Sequence, residues 1–553
     1  MTTVVEAVAG ALVGAGVRHV FGLVGGGNVL AVAAMTSAGL HYTAARHESG
    51  AVVMADAYHR VGGGVAVCTT THGAGLTNAL TPLAEAVKHR SGLVLVSGAP
   101  ATGGPGAHDV DQVALLTSLG VEVEVLSPDG AEARTRAAVV RARAERRPVA
   151  LLLPTDVSGA EVGVSPEAGS EPLGAAPPVT PDADRVMRIA AALATARRPL
   201  VVAGLGAWRA GAREVLEELG TRVGAFLATT VMGSGMFAGS PWSVGVCGGF
   251  SAPATARLIA EADVVVAFGA SLDPFTLHGG RLIDPRATVV QVTLADTASS
   301  RADTVLRADA AATARALLAA LGPATPGEPA DHWRSRIGPD RLRALARGWH
   351  AEPFQDRSEP RRIDPRSLTR ALVALLPRER TVVWDGGHFI AWPAQYWSVP
   401  DPHGLVFTGA AFQCIGLGFA GAVGAAVGRP DRVVVLATGD GGGLMGLPEL
   451  ETLVRTGVSA LVVIYDDASY GFEEHMYLPR GADPATVRFS DTDFAGIARA
   501  LGAEAVTVRA PEDLAIVERW TGHGRPGVLV LDCKLTGGVV APFLEELIRG
   551  PAG

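Results

Sequence analysis

The 553-residue sequence is poor in charged residues, and this scarcity excludes several classes of protein. Only 18% of the residues are charged and the net charge is -8, so the chain offers no basic surface for nucleic acid. Its longest run of small apolar residues, GLGFAGAVGAAVG (416–428), is too short to span a bilayer and predicts a buried helix. We therefore expect neither nucleic acid nor a membrane as a partner.

Cysteine is also scarce, and its positions argue against a secreted or metal-stapled protein. The four cysteines are scattered and have neither the spacing of a metal site nor that of a disulfide framework. The first residues lack the basic start and the cleavage site of a secretory signal. Together these absences predict a cytoplasmic protein.

Hydrophobic residues are plentiful, at 48% of the chain, and they predict an α/β fold. Short Val- and Leu-rich strands alternate with amphipathic segments, which indicates parallel sheets flanked by helices. We predict three domains, at 1–160, 185–322 and 363–545, with Pro- and Gly-rich linkers at 158–184 and 322–341. The predicted strands are HVFGLVG, VAVCTTT, GLVLVSG and PVALLLP; RPLVVAGLGA, VGAFLATT, ADVVVAFGA and ATVVQVTL; and TVVWDGGH, VVVLATGD, ALVVIYDD and PGVLVLDC.

Acidic residues end two consecutive strands of the third domain. Asp440 follows one strand, and Asp466 and Asp467 follow the next, with a helix predicted at roughly 446–456 between them. Because ligands bind outside the carboxyl ends of parallel strands, two such carboxylates can hold one Mg2+. The glycines at 441–443 leave backbone amides open for a phosphate. The alternative is that Asp440 caps the helix and the later acids open a surface turn.

Several motifs together resemble one enzyme family. The stretch from Gly439 to Asp467 resembles the cofactor signature of thiamine diphosphate enzymes, with Asp440 and Asp467 at its 27-position spacing. ARHESGAVVMADAYHRVGGGVAVCTTTHGAGLTNAL (45–80), DGGHFIAW (385–392) and GAAFQCIGLGFAGAVGAA (409–426) are similar to the acetolactate synthase, benzaldehyde lyase and oxalyl-CoA decarboxylase group. The resemblance implies pyrimidine-binding, middle and diphosphate-binding domains in that order.

The resemblance also implies roles for particular residues. Glu48 would hydrogen-bond N1′ of the aminopyrimidine, and Ile415 would force the bent cofactor conformation, although a residue of its type could equally be plain core. Asp440, Asp467 and the Ser469 carbonyl would bind Mg2+. Asp467 stands where the family usually has Asn. The other implied cofactor contacts are Gly73, Asn78, Gly386, Gly387, His388, Gln413, Gly439, Gly441, Gly442, Tyr470 and Gly471.

The substrate side departs further from the family pattern. His72 and His108 occupy motif positions that face the cofactor, so we predict that they are catalytic, although isolated histidines are more often surface groups. The remaining predicted substrate contacts are Gly25, Gly26, Asn28, Gln112, Phe472, Glu473 and His475. Consecutive histidines of the simple decarboxylases are not recognisable.

These features predict a carboligase that depends on thiamine diphosphate and Mg2+. It would decarboxylate a 2-oxo acid and join the product to an acceptor carbonyl. The alternatives are a non-oxidative decarboxylase or C–C lyase that releases an aldehyde, and a non-catalytic cofactor-binding homologue. A lone Gly-x-Gly turn in VVAGLGAWRAGA is weak support for a nucleotide, so FAD is not expected. The family's shared site implies a homodimer at least, and a tetramer is compatible with it.

Overall fold

Three six-stranded sheets form the core of the protein. The computed structural model describes residues 1–104, 106–162, 177–323 and 333–549. Within these ranges, all pairings between neighbouring strands of the sheets are parallel. This confirms the predicted class of α/β fold with three sheets in series. The exact domain boundaries remain a prediction.

The strands are numbered in chain order, six to a sheet. Those of the first sheet are β1 (His19–Gly22), β2 (His41–Ala44), β3 (Ala66–Thr70), β4 (Leu93–Ala99), β5 (Glu122–Val125) and β6 (Val149–Pro154). Those of the second are β7 (Pro199–Ala203), β8 (Phe226–Thr229), β9 (Ser243–Val246), β10 (Val264–Phe268), β11 (Thr288–Thr293) and β12 (Thr304–Arg307). Those of the third are β13 (Arg380–Trp384), β14 (Leu405–Phe407), β15 (Val433–Gly439), β16 (Ala460–Asp466), β17 (Glu504–Val508) and β18 (Val528–Lys534).

Helices flank each sheet. Around the first they are Val4–Gly14, Val29–Ser37, Glu48–Arg60, Ala74–Asn78, Leu80–His89, Gln112–Ser118 and Ala131–Glu145. Around the second they are Ala183–Thr195, Leu205–Arg209, Arg213–Val223, Pro253–Ala260, Ala310–Leu321, Trp333–Ile337 and Pro339–Leu345. Around the third they are Pro365–Val373, Ala391–Tyr396, Gly418–Gly428, Asp440–Met445, Pro448–Arg455, Gly471–Tyr477, Phe494–Ala500, Ala515–Gly522 and Pro542–Arg549.

The first and third sheets share one topology. Their strand orders are β2-β1-β3-β4-β6-β5 and β14-β13-β15-β16-β18-β17, which match position by position. The second sheet has the order β12-β11-β10-β7-β8-β9, the doubly wound arrangement. The two outer units are therefore variants of one architecture.

Two equivalent helices join the outer units. The helix Glu48–Arg60 packs against Gly418–Gly428, and both are largely buried. A side-chain Cβ on Gly424 would lie 2.1 Å from the carbonyl oxygen of Met54, so only glycine permits this approach. Residues 418–428 of the small-residue run thus form a largely buried helix, as predicted.

The prediction of a second linker at 322–341 is wrong for residues 333–341, which the structure describes. Trp333 is fully buried and its ring stacks 4.5 Å from that of Phe226 in the second sheet, at the start of a helix. The apolar ring overrides the polar, Pro-rich composition around it. Residues 163–176 of the first predicted linker and 324–332 of the second lie outside the described residues.

Two further observations concern membrane-spanning helices and the cysteines. None of the described helices is long and apolar enough to cross a membrane. All four cysteines are buried as free thiols.

Candidate functional site

The two acids predicted to hold a metal follow neighbouring strands at the carboxyl edge of the third sheet. β15 and β16 pair with Gly439 opposite Tyr465, so Asp440 and Asp467 follow adjacent strand ends. Burial and neighbouring carboxylates raise the pKa of Asp440 to about 8 and that of Asp467 to about 7. Carboxylates that oppose their own ionisation in this way fit a divalent cation, whose charge would balance theirs.

Asp466, which the sequence left without a role, serves the fold. Its carboxylate accepts hydrogen bonds from Lys534 Nζ at 2.5 Å and from the backbone N–H of Ala468 at 3.0 Å. Lys534 also pairs with Asp532 at 2.9 Å. The buried lysine therefore compensates Asp466, which fixes the turn that presents Asp467.

His388 is a neutral ring held in one orientation. Its Nε2 accepts from the backbone N–H of Ala541 at 2.9 Å, so its proton resides on Nδ1. Burial, with the nearby His475, lowers the pKa of His388 to about 3. A Cβ on Gly471 would lie 3.3 Å from this Nδ1 and 2.8 Å from Oδ2 of Asp467. Nδ1–H is therefore a donor beside the paired acids, which suits a phosphate oxygen.

Glycines keep the surface around these acids bare. A Cβ on Gly441 would lie 2.7 Å from the ring of Tyr470, and one on Gly442 would lie 2.8 Å from Oδ2 of Asp385. Both glycines are in the first turn of Asp440–Met445, where backbone N–H groups have no partner within the helix. The loop and the helix start can thus approach a diphosphate closely.

Asp385 is a residue that sequence reasoning missed. It is buried, and its Oδ1 accepts from the backbone N–H of Gly386 at 2.8 Å and of Gly416 at 2.9 Å. Its Oδ2 accepts from Thr438 Oγ1 at 3.1 Å. Asp385 thereby ties the end of β13 to the Gln413–Ile415 loop and to β15. Its place before the glycines of DGGH could have indicated this.

The loop that carries Gln413 and Ile415 is anchored from the first unit. The buried Glu85 accepts from the backbone N–H groups of Ala411 at 3.2 Å and Phe412 at 2.6 Å. Gln413 adopts φ +58, and the Ile415 side chain is 45% exposed. The Ile415 side chain is therefore not part of the hydrophobic core of this chain, and it is available to contact a molecule outside the chain.

Glu48 lies on the first unit, as the first residue of the helix Glu48–Arg60. Glu48 is buried, and its Oε2 accepts a hydrogen bond from Asn78 Nδ2 at 3.0 Å. The other oxygen, Oε1, lies beside Gly75, where a Cβ would be 3.2 Å away. Two of the predicted residues, Glu48 and Asn78, are thus brought together in one half of a site.

Two predicted substrate contacts, Asn28 and Gln112, hold loops of the first unit. The amide of Asn28 is fully engaged, accepting from Gly25 N–H at 2.7 Å and donating to Leu23 O and Thr69 Oγ1. Gln112 accepts from Gly73 N–H at 3.1 Å and donates to Gly98 O at 2.9 Å. Thr69, Gly73 and Gly98 are distant in sequence from the amides that they contact, so the motif positions could not reveal these partners. Both amides shape the loops around Glu48.

The predicted histidines lie in different surroundings. His72 is half-buried, with Nε2 3.7 Å from Asp109, whereas His108 is exposed. His475 lies 4.7 Å from the His388 ring, centre to centre. Of the remaining predicted contacts, Phe472 packs against the core of the third unit and Glu473 is exposed.

A cavity of about 730 Å³ lies beside Asp467 in the third unit. Its lining includes Asp467, His475, Glu474 and Arg488, and the last two form an ion pair at 2.7 Å. Glu48 does not line it. The cavity therefore does not join the Glu48 region of the first unit, one half-site, to the acids and glycines of the third unit, the other half-site.

Three family models match the chain in series. Residues 2–115 match the thiamine pyrophosphate enzyme N-terminal TPP binding domain, 186–320 the central domain, and 385–532 the C-terminal TPP binding domain. Thiamine pyrophosphate is another name for thiamine diphosphate.

Three similar proteins carry different names. A probable 2-ketoarginine decarboxylase of Pseudomonas aeruginosa is 31% identical over 94% of this chain and 91% of its own. A probable acetolactate synthase large subunit of Methanocaldococcus jannaschii is 27% identical, covering 92% and 88%. A sulfoacetaldehyde acetyltransferase of Castellaniella defragrans is 28% identical, also covering 92% and 88%.

The domain matches, the shared length and the half-sites agree with one another. The different names among the relatives leave the specific reaction open. The chain belongs to the family of thiamine pyrophosphate enzymes.

Proposed function

We propose that this protein is a carboligase that uses thiamine diphosphate and Mg2+ to act on a 2-oxo acid. Asp440, which is buried, and Asp467, which is half-buried, carry the cofactor part of the proposal, because two carboxylates that follow neighbouring strand ends suit a bound cation. The glycine surface around Gly441 and the Nδ1–H of His388 are the groups that would hold the diphosphate. Ser469, through its carbonyl, would complete the metal ligands.

The chain's own residues have distinct tasks in this proposal. Bound thiamine diphosphate supplies a carbon nucleophile for addition to carbonyl groups. Asn78 occupies Oε2 of Glu48, which leaves Oε1 as the oxygen able to exchange a proton with the aminopyrimidine. Asp385 and Glu85 keep the Ile415 loop in place so that its exposed side chain can support the bent cofactor.

We propose that a second copy of the chain completes the site. Around the acids of the third unit, Phe412, Ile415, Leu444 and Met445 are between 45% and 55% exposed. The Glu48 half-site is likewise bordered by exposed apolar side chains, which are Val24, Val29, Leu30, Val110 and Val113. Such patches favour a covering partner, and a twofold dimer would place each half-site on the other. A dimer is the minimum assembly, and we place it in the cytoplasm.

Carboligation is preferred to simple decarboxylation because the consecutive histidines of the simple decarboxylases are not recognisable in this chain. The acetolactate synthase named among the relatives supports this choice. The runner-up, a decarboxylase or lyase that releases an aldehyde, is supported by the relative named a 2-ketoarginine decarboxylase.

Product analysis separates the two reactions. The protein is incubated with thiamine diphosphate, Mg2+ and a panel of 2-oxo acids, with and without an acceptor aldehyde. A carboligase should yield a chiral 2-hydroxy ketone or an acetohydroxy acid, detected by chiral chromatography and mass spectrometry. Free aldehyde as the sole product for every donor would refute carboligation and leave the decarboxylase.

A further inference from the structure

A second large cavity lies where the three units meet, at the opposite end of the first sheet from Glu48. Its volume is about 710 Å³. Gly64 and Arg146 line it from just before β3 and β6, at the amino ends of these strands. Leu205 lines it from the second unit and His403 from the third. Because Glu48 and the paired acids follow carboxyl ends of strands, this cavity is separate from the candidate cofactor site.

The cavity is strongly basic. Arg143, Arg146, Arg209 and Arg213 line it, whereas Glu214 is its single acidic lining residue among those described. Arg213 lies 3.7 Å from Glu217 of its own helix. A fifth lining arginine, Arg60, is already neutralised by Asp56 at 2.5 Å and Glu85 at 2.9 Å.

Arg146 and Arg209 have no internal counter-charge of their own. No carboxylate of the described residues lies within ion-pair distance of either guanidinium. Burial, together with Arg146 and Arg60, lowers the pKa of Arg209 to about 10. Burial and Arg90 also lower the pKa of Arg146. Holding such like charges together in a partly dry cavity is unfavourable unless an anion balances them.

His89 adds a hydrogen-bond acceptor without a partner to the cavity wall. Ser91 Oγ donates to Asp56 at 2.5 Å, so it accepts from Nδ1–H of His89 at 2.9 Å. Nε2 of His89 is then unprotonated, because burial keeps the pKa of this ring well below its usual range. This Nε2 is buried and has no hydrogen-bond partner within the described ranges. A ligand that satisfies it must carry an O–H or N–H donor.

We propose that this cavity binds a small multivalent oxyanion that also carries a hydroxyl donor, such as hydrogen phosphate, or a phosphate monoester or polycarboxylate that bears an alcohol hydroxyl. The planar guanidinium groups of Arg146 and Arg209 bind the oxyanion, since arginine matches phosphate and carboxylate oxygens in pairs. His89 Nε2 accepts from the hydroxyl. Trp208, Leu205 and Met232 offer apolar contact to the rest of a larger ligand.

Calorimetric titration with inorganic phosphate tests the site. The protein is first saturated with thiamine diphosphate and Mg2+, so that the candidate cofactor site is filled. Phosphate should bind saturably, and sulfate, which has the same shape and no hydroxyl at neutral pH, should bind more weakly. The Arg146→Gln/Arg209→Gln variant should weaken phosphate binding about tenfold or more, since it removes two charged hydrogen-bond donors from the oxyanion.

Matched variants guard against a trivial loss of folding. Arg188→Gln removes an exposed arginine of the same unit outside the cavity and should leave phosphate binding unchanged. Arg209→Lys keeps the charge and should retain more affinity than Arg209→Gln. Absence of saturable phosphate binding, equal binding of sulfate, or equal affinity in the double variant would each overturn the proposal. Titration with a hydroxy-carboxylate at the same free Mg2+ concentration then shows whether the cavity binds carboxylate or phosphate more tightly.

Discussion

Replacing Glu48 by glutamine is expected to leave the protein folded and to lower turnover by about 10²–10⁴-fold. Glutamine keeps the size of the side chain and can still accept from Asn78 Nδ2, now at 3.0 Å from Oε2, through its amide oxygen. It cannot exchange a proton as a carboxyl does, which is the task we propose for Oε1. Steady-state kinetics on the substrate found by product analysis gives the loss in kcat.

Thermal unfolding is the control for this variant. Its midpoint should agree with that of the unaltered protein, because the buried hydrogen bond is retained. An unchanged kcat in Glu48→Gln would remove both the proton-transfer role and the proposed reaction. Absence of any turnover by the unaltered protein, by contrast, would favour the non-catalytic homologue that the sequence left open.

Replacing Asp440 by asparagine is expected to have opposite effects on the cofactor-free and cofactor-bound protein. Loss of a metal-binding carboxylate should weaken the Mg2+-dependent binding of thiamine diphosphate about tenfold or more. Without cofactor, the variant should be more stable than the unaltered protein at pH 8. The reason is that burial and the neighbouring carboxylates raise the pKa of Asp440 to about 8, so its ionised form opposes folding.

The pH dependence of this difference has a definite sign. A carboxyl whose pKa is raised in the folded state does not destabilise that state at pH values below its unfolded pKa of about 4. As the pH rises from there towards 8, the carboxyl lowers the free energy of unfolding by an increasing amount. The stability gain of Asp440→Asn should therefore shrink as pH falls towards about 4. Denaturant unfolding of the cofactor-free protein across this range measures it.

Asp466→Asn is the contrasting variant for the same experiment. It removes one of the two carboxylates that pair with buried Lys534, so it should lower stability at pH 8. A stability gain in Asp466→Asn, or a loss in cofactor-free Asp440→Asn, would reverse our assignment of the two acids.

The sequence predicts the middle of each sheet and misses its edges. The four strands that we predicted in each unit are the four inner ones, whereas β2 and β5, β9 and β12, and β14 and β17 were not predicted. Inner strands of a parallel sheet are covered on both faces and read as continuous hydrophobic runs. Edge strands such as His41–Ala44 and Glu122–Val125 are short and half-buried, so they lack that signal.

In the candidate site, the sequence locates residues and cannot show their partners. The spacing of Asp440 and Asp467 places both at neighbouring strand ends, since β15 and β16 are consecutive in chain and in space. The role of Asp466 depends on Lys534, and the tautomer of His388 depends on Ala541, 153 residues away. Such pairings arise only when the whole chain has folded, so no local pattern encodes them.

The separation of the two half-sites has a genetic consequence. In the proposed dimer, one chain supplies Glu48 and the other supplies Asp440 to each site. A substitution of Glu48 in one chain and a substitution of Asp440 in the other therefore do not affect both sites. If Glu48→Gln chains and Asp440→Asn chains pair, one site collects both substitutions and the other contains none. Two variant proteins of low activity, unfolded and refolded together, should then regain activity, up to one active site of the two in every mixed dimer. Two alleles of this single gene would complement each other as if they were two genes.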